Sequence, residues 1–157
     1  VRLLLDNNAE VNGGDSQGQT PLMLATVGGH RVVAQLLLDR GTEVNRQNKY
    51  GKTSLMIAAR YGHVDLVQLL LDRGAHVNAQ SEDGWAALLI AIHVPSGDYY
   101  SISKLLLDKN AEVDVENNDG RTPLSFAAEL GRDLAAQLLL DRGAKVDAKD
   151  KRGRTPL

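Results

Sequence analysis

The chain has 157 residues, 43% hydrophobic and 24% charged, with a formal net charge of −2; one domain of this size buries a real core, and so even a balance excludes nucleic-acid binding through a concentrated basic surface. It has no cysteine, which rules out disulfides and thiolate zinc sites and fits a reducing, intracellular, cytoplasmic setting. No apolar run nears the roughly 18 residues of a membrane span, so membrane insertion is not expected, and neither a secretory signal nor an initiating methionine opens the chain.

The first residues, VRLLLDNNAEVN, belong to a phrase that returns along the whole sequence. DSQGQTPLMLAT starts at Asp15, NKYGKTSLMIAA at Asn48, SEDGWAALLIAI at Ser81 and NNDGRTPLSFAA at Asn117, and the last residues read GRTPL. The phrase's glycine falls at Gly18, Gly51, Gly84, Gly120 and Gly153, with spacings of 33, 33, 36 and 33. A second landmark, LLLD, ends at Asp6, Asp39, Asp72, Asp108 and Asp141. Such periodicity is the signature of a stacked repeat architecture. The boundaries are 15–47, 48–80, 81–116 and 117–149, with partial units at 1–14 and 150–157. Because both ends fall inside the phrase, the chain reads as a piece of a longer array.

Each unit reads as a turn, a short helix, a second helix and a turn. In unit 48–80, Thr53 caps a helix whose apolar side is Leu55, Ile57, Ala58 and Ala59, and Gly62-His63 breaks it. VDLVQLLLDR then places Val64, Val67 and Leu71 on one face, with Leu66 and Leu70 alongside. Gly74 ends that helix in the left-handed conformation, a role that falls to Asn8 and Asn110 in two other copies. Unit 81–116 departs from the pattern: Ala86-Ala87 stands for Thr-Pro, Trp85 is the chain's one tryptophan, and three extra residues fall near 95–97. Asp98 or Ser96 is placed to cap its second helix. The insertion reads equally as a functional lip or as a neutral loop, since loop length costs little.

GQTPLMLATVGGH, GKTSLMIAARYGH and GRTPLSFAAELGR, each followed by its LLLD segment, resemble the ankyrin-repeat family over essentially the whole chain. The resemblance implies an all-α repeat solenoid of helix-turn-helix units with β-hairpin or turn fingers projecting from one side. The family's histidine after Thr-Pro-Leu is replaced by Met23, Met56, Leu89 and Ser125, so its local hydrogen bond is expected to be missing throughout.

Catalytic and cofactor chemistry finds no support. Gly51-Lys52-Thr53 ends like a phosphate loop, but Arg46 occupies the position of its first glycine. VENNDGRTPLSF resembles a calcium loop, yet Val115 and Phe126 stand where the first and last ligands belong. His30, His63, His76 and His93 show no metal-ligand spacing. No enzyme activity, metal or cofactor is therefore expected.

The resemblance further implies that a partner protein is bound at positions that vary between copies, flanking the finger glycine and ending the first helix. These positions include Tyr50, Lys52, Arg60 and Tyr61 in unit 48–80, Asp83, Trp85 and His93 in unit 81–116, and Arg121 in unit 117–149. Aromatic residues and arginine dominate interface energies, and the chain has six aromatics in all. Trp85 and Tyr61 each have a second reading, Trp85 as a cover over the gap left by Thr-Pro and Tyr61 as a cover for the neighbouring helix end. The mixed charges favour a protein over a nucleic acid. The expected role is thus an interaction module or scaffold, with a regulatory or targeting segment of a larger enzyme, channel or signalling protein as the alternative.

Overall fold

The computed structural model of the chain describes residues 11–95 and 98–156. Within them lie four helix pairs: α1 Pro21–Val27 with α2 Arg31–Asp39, α3 Ser54–Tyr61 with α4 Val64–Asp72, α5 Ala87–His93 with α6 Tyr99–Asp108, and α7 Pro123–Glu129 with α8 Asp133–Asp141. The first helices stack in the order α1, α3, α5, α7, and the second helices stack behind them as α2, α4, α6, α8. At seven to ten residues none would persist alone in water, so stacking is what makes them helices.

The repeated phrase sets where each helix starts. The hydroxyls of Thr20, Thr53 and Thr122 accept hydrogen bonds from the amides of Met23, Met56 and Ser125. Ala86 holds the same extended cap conformation without any side-chain bond. The leucine after each cap (Leu22, Leu55, Leu88, Leu124) is buried, as is the middle leucine of each LLLD (Leu37, Leu70, Leu106, Leu139). Each such burial contributes about 1.5–3 kcal/mol. On α4 the buried set is Leu66, Val67, Leu69, Leu70 and Leu71, while Val64 is half-buried. Leu69 was not expected there; α4 is packed on more than one side, so its buried face is wider than one stripe.

The turns behave as the residues dictate. Gly74 has φ 80°, and Asn110 adopts φ 65° in the equivalent place. Asn8, like Ser96 and Gly97, lies outside the described residues. Asp98 caps α6 by accepting from the Ser101 amide at 2.9 Å. One expectation fails: Ser125 Oγ donates to the Thr122 carbonyl at 2.7 Å, so a local bond does exist at the position where the family carries histidine. A hydroxyl on a short stem reaches the preceding turn's carbonyl, which methionine and leucine cannot bond.

Side chains at fixed offsets tie each unit to the next. Asn45 accepts from the His76 amide and donates to the Gly74 carbonyl. Asn78 does the same to the Glu112 amide and the Asn110 carbonyl. The LLLD aspartates pair with the next unit's cation: Asp39 with Arg73 at 3.0 Å, Asp72 with Lys109 at 3.2 Å, and Asp108 with Arg142 at 2.7 Å. The Asp72 carboxyl is held below its ordinary range by hydrogen bonds from Gln68 and then Lys109.

The fingers are tight turns. The described residues contain no strand, and the nearest to hairpin pairing is one isolated antiparallel bridge between Gln80 and Ala86. The reason is at the turn's first residue. Asp15, Asn48, Asn117 and Asp150 each accept two amides from their own finger, and these short loops replace a strand ladder. Neighbouring fingers then join through one backbone bond apiece: the Lys49 amide to the Gln17 carbonyl, Glu82 to Tyr50, Asn118 to Asp83 and Lys151 to Asp119.

Candidate functional site

A cleft of about 270 Å³ opens between units 48–80 and 81–116. Lys52, on the finger, and Arg60, near the end of α3, line one side. Asp83 and Trp85, from the next finger, and Ile90, His93 and Val94, from α5 and its end, line the other. Two of its lining rings, Trp85 and His93, form a three-ring cluster with Phe126 behind them. The Trp85 ring lies 5.0 Å from His93 and 5.1 Å from Phe126, and His93 lies 5.0 Å from Phe126 in an edge-on arrangement. These separations suit attraction between ring faces and edges.

Trp85 runs along α5, packed on the Phe126 ring of the next unit. Seven residues of helix extend about 10 Å, and the half-buried indole starts at the finger and meets His93 at the helix's far end. The finger and the inter-helix turn lie at opposite ends of α5, and the Trp85 ring spans the distance between the finger and His93. Val94, the residue that ends α5, is extended rather than left-handed. Its carbonyl accepts from Arg132 Nη2 at 2.7 Å, while the same guanidinium lies 4.1 Å from the Tyr99 ring.

The electrostatics follow from this packing. Burial first, and then the Arg121 guanidinium, hold the His93 imidazole below its usual pKa, favouring the neutral ring. Arg121 stacks 3.9 Å over the Phe126 ring and pairs with Glu129. That hydrogen bond is the main cause of the lowered Glu129 pKa. Lys52 Nζ sits 5.8 Å from the Tyr50 ring centroid. Among the described residues, Arg60 has neither a hydrogen bond nor an ion pair, and Lys52 and Asp83 have no ion pair.

A family model described as ankyrin repeats (3 copies) matches the chain over residues 1–81, 33–116 and 55–150. The chain belongs to the ankyrin-repeat family. A comparison with curated proteins finds no match. Ankyrin repeats generally mediate protein–protein interaction and are typically non-catalytic. In this ankyrin array no described helix is long and apolar enough to cross a membrane. The described residues also hold no group of three or more His, Asp or Glu side chains able to take a metal ion.

Of the positions singled out from the sequence, the cleft brings together Lys52, Arg60, Asp83, Trp85 and His93. Arg121 joins them through Phe126. Tyr50 and Tyr61 are exposed but do not line the cleft. The Tyr50 hydroxyl bonds back to Gln17 at 3.0 Å, and the Tyr61 ring stacks on His63 at the inter-helix turn, 6.1 Å between centroids. Phe126 and Arg132 were not anticipated. Phe126 repeats the position of Ile57 and Ile90, one unit on from Trp85, and Arg132 stands where other copies carry the Gly-His histidine, so both were visible as departures from the repeat.

Proposed function

We propose that this ankyrin array is a non-catalytic interaction module that binds a partner protein through the face made by its fingers and first helices, centred on the cleft between Lys52 and Trp85. The observation that carries the reading is the combination found there: a large aromatic surface beside two cations that have no ion-pair partner among the described residues. On the second-helix side, Arg73, Lys109 and Arg142 are paired across units. A desolvated aromatic flanked by arginine is the arrangement that dominates protein interfaces. Tyr50 and Tyr61 extend the same surface toward unit 15–47 and toward the inter-helix turns.

Photo-crosslinking tests the placement. A benzophenone side chain at Tyr50 or Asp83, on the fingers, is compared with one at Lys104 or Gln137, on the second helices; all four positions are exposed. In extract from the source cell, the finger probes should give a discrete protein adduct and the second-helix probes none. The reverse pattern would overturn the proposal.

A further inference from the structure

We infer that the cleft takes an extended acidic segment of the partner, patterned acid–x–apolar–x–acid; this deepens the proposed function and rests on it. The cleft's own charges set the sign. Two cations, Lys52 and Arg60, face one carboxylate, Asp83, and no ion pair joins them. Behind the cleft, Arg121 is paired with Glu129 and Arg132 is bonded to the Val94 carbonyl, so the cleft's balance is that of Lys52 and Arg60 against Asp83. A carboxylate entering here meets Lys52 and Arg60, which no ion pair among the described residues compensates.

Size and spacing define the rest. A cleft of about 270 Å³ falls below the range of roughly 300–1,000 Å³ usual for small-molecule sites, so it suits a few side chains of a larger partner. Lys52 stands two residues before α3 and Arg60 is its last residue but one, so the two cations lie toward opposite ends of a helix about 12 Å long. Four residues of extended chain cover about 13 Å, and residues i, i+2 and i+4 point to the same side. Acids at i and i+4 therefore meet Arg60 and Lys52, while the residue at i+2 falls between them. There Trp85, Ile90 and Val94 offer apolar surface.

The chain's single tryptophan makes the site directly observable. The probe is the blocked heptapeptide Gly-Glu-Ser-Leu-Ser-Glu-Gly, titrated to millimolar concentration while the Trp85 indole N–H is followed by NMR. The same peptide with both Glu changed to Gln, or both to Lys, provides the comparison. A saturable shift is expected with the acidic peptide, weakened by salt, and none with the other two. Lys52→Ala and Arg60→Ala should each weaken it by about three- to fivefold, as for exposed charge pairs. Arg60→Glu should transfer the preference to the lysine peptide, and thermal melting checks that each variant stays folded. No shift at millimolar acidic peptide, an equal response to the glutamine peptide, or an unchanged preference in Arg60→Glu would overturn the inference. The two failures are separable: finger crosslinks with a negative peptide result refute the acidic segment alone, whereas crosslinks confined to the second helices refute the face.

Discussion

Alanine at Gly51 and at Gly74 separates two demands that a glycine can meet. Both residues hold positive φ, 70° and 80°. A Cβ at Gly74 would meet nothing within 4 Å, but at Gly51 it would lie 2.8 Å from the Glu82 amide nitrogen and 3.0 Å from Ser81 Cα. The left-handed backbone costs an L-residue about 1–2 kcal/mol, partly offset by about 0.4–1 kcal/mol from a stiffer unfolded chain. Gly74→Ala should therefore destabilise by about 1 kcal/mol. Gly51→Ala carries the same cost and must also displace the Glu82 amide, which donates to the Tyr50 carbonyl at 3.1 Å. Losing that bond adds about 1 kcal/mol, so the total is about 2 kcal/mol or more. Urea unfolding followed by Trp85 fluorescence should place the Gly51→Ala midpoint clearly below that of Gly74→Ala. Native Gly51→Ala should also show altered Trp85 emission, because the finger beside the tryptophan has moved. Equal midpoints would refute the argument that close packing of successive fingers holds this face together.

Ala86→Thr should restore the missing cap of α5, since Thr20, Thr53 and Thr122 occupy the same buried place in the other units; a gain of about 0.5–1 kcal/mol in urea unfolding is expected. His93 makes the array sensitive to mild acid. Its folded pKa lies below the ordinary value of 6.5, so the unfolded chain takes up the proton first, and stability falls as pH drops from about 6.5 toward the folded pKa. His93→Gln should flatten the unfolding midpoint across that window. The decline at lower pH should persist, because the lowered carboxyls of Asp98 and Glu129 lose their hydrogen-bond stabilisation only as pH falls through their own folded pKa values.

Much of the architecture is written locally, at spacings that recur. Threonine before an apolar run starts a helix, glycine or asparagine after LLLD ends one, and Asp98 caps the helix that follows the insertion; each works through neighbours a few residues away. The sequence by itself therefore determined the units, their helices and the turn at Asn110. It also marked Lys52, Arg60, Asp83, Trp85 and His93 as positions free to vary between copies. The ladder of Asp39, Asp72 and Asp108 to the next unit's cations was legible as recurrence, though its partners were not. Only the tertiary structure decided what the varying side chains do, because a side chain's direction depends on the space its neighbours leave. The same finger position carries Gln19, Lys52, Trp85 and Arg121. In Trp85 it turns along α5 to His93 because Phe126, from the next unit, offers a ring to pack on. Arg132 reaches Val94, 38 residues away, because stacking sets its guanidinium beside the end of the preceding unit's first helix. The Trp85 ring cluster involves a tryptophan that no other unit carries, so periodicity could not foretell it; the Arg132 contact keeps the repeat's place, since His63 approaches the Val27 carbonyl at 3.5 Å in the same way, and only the side chain differs.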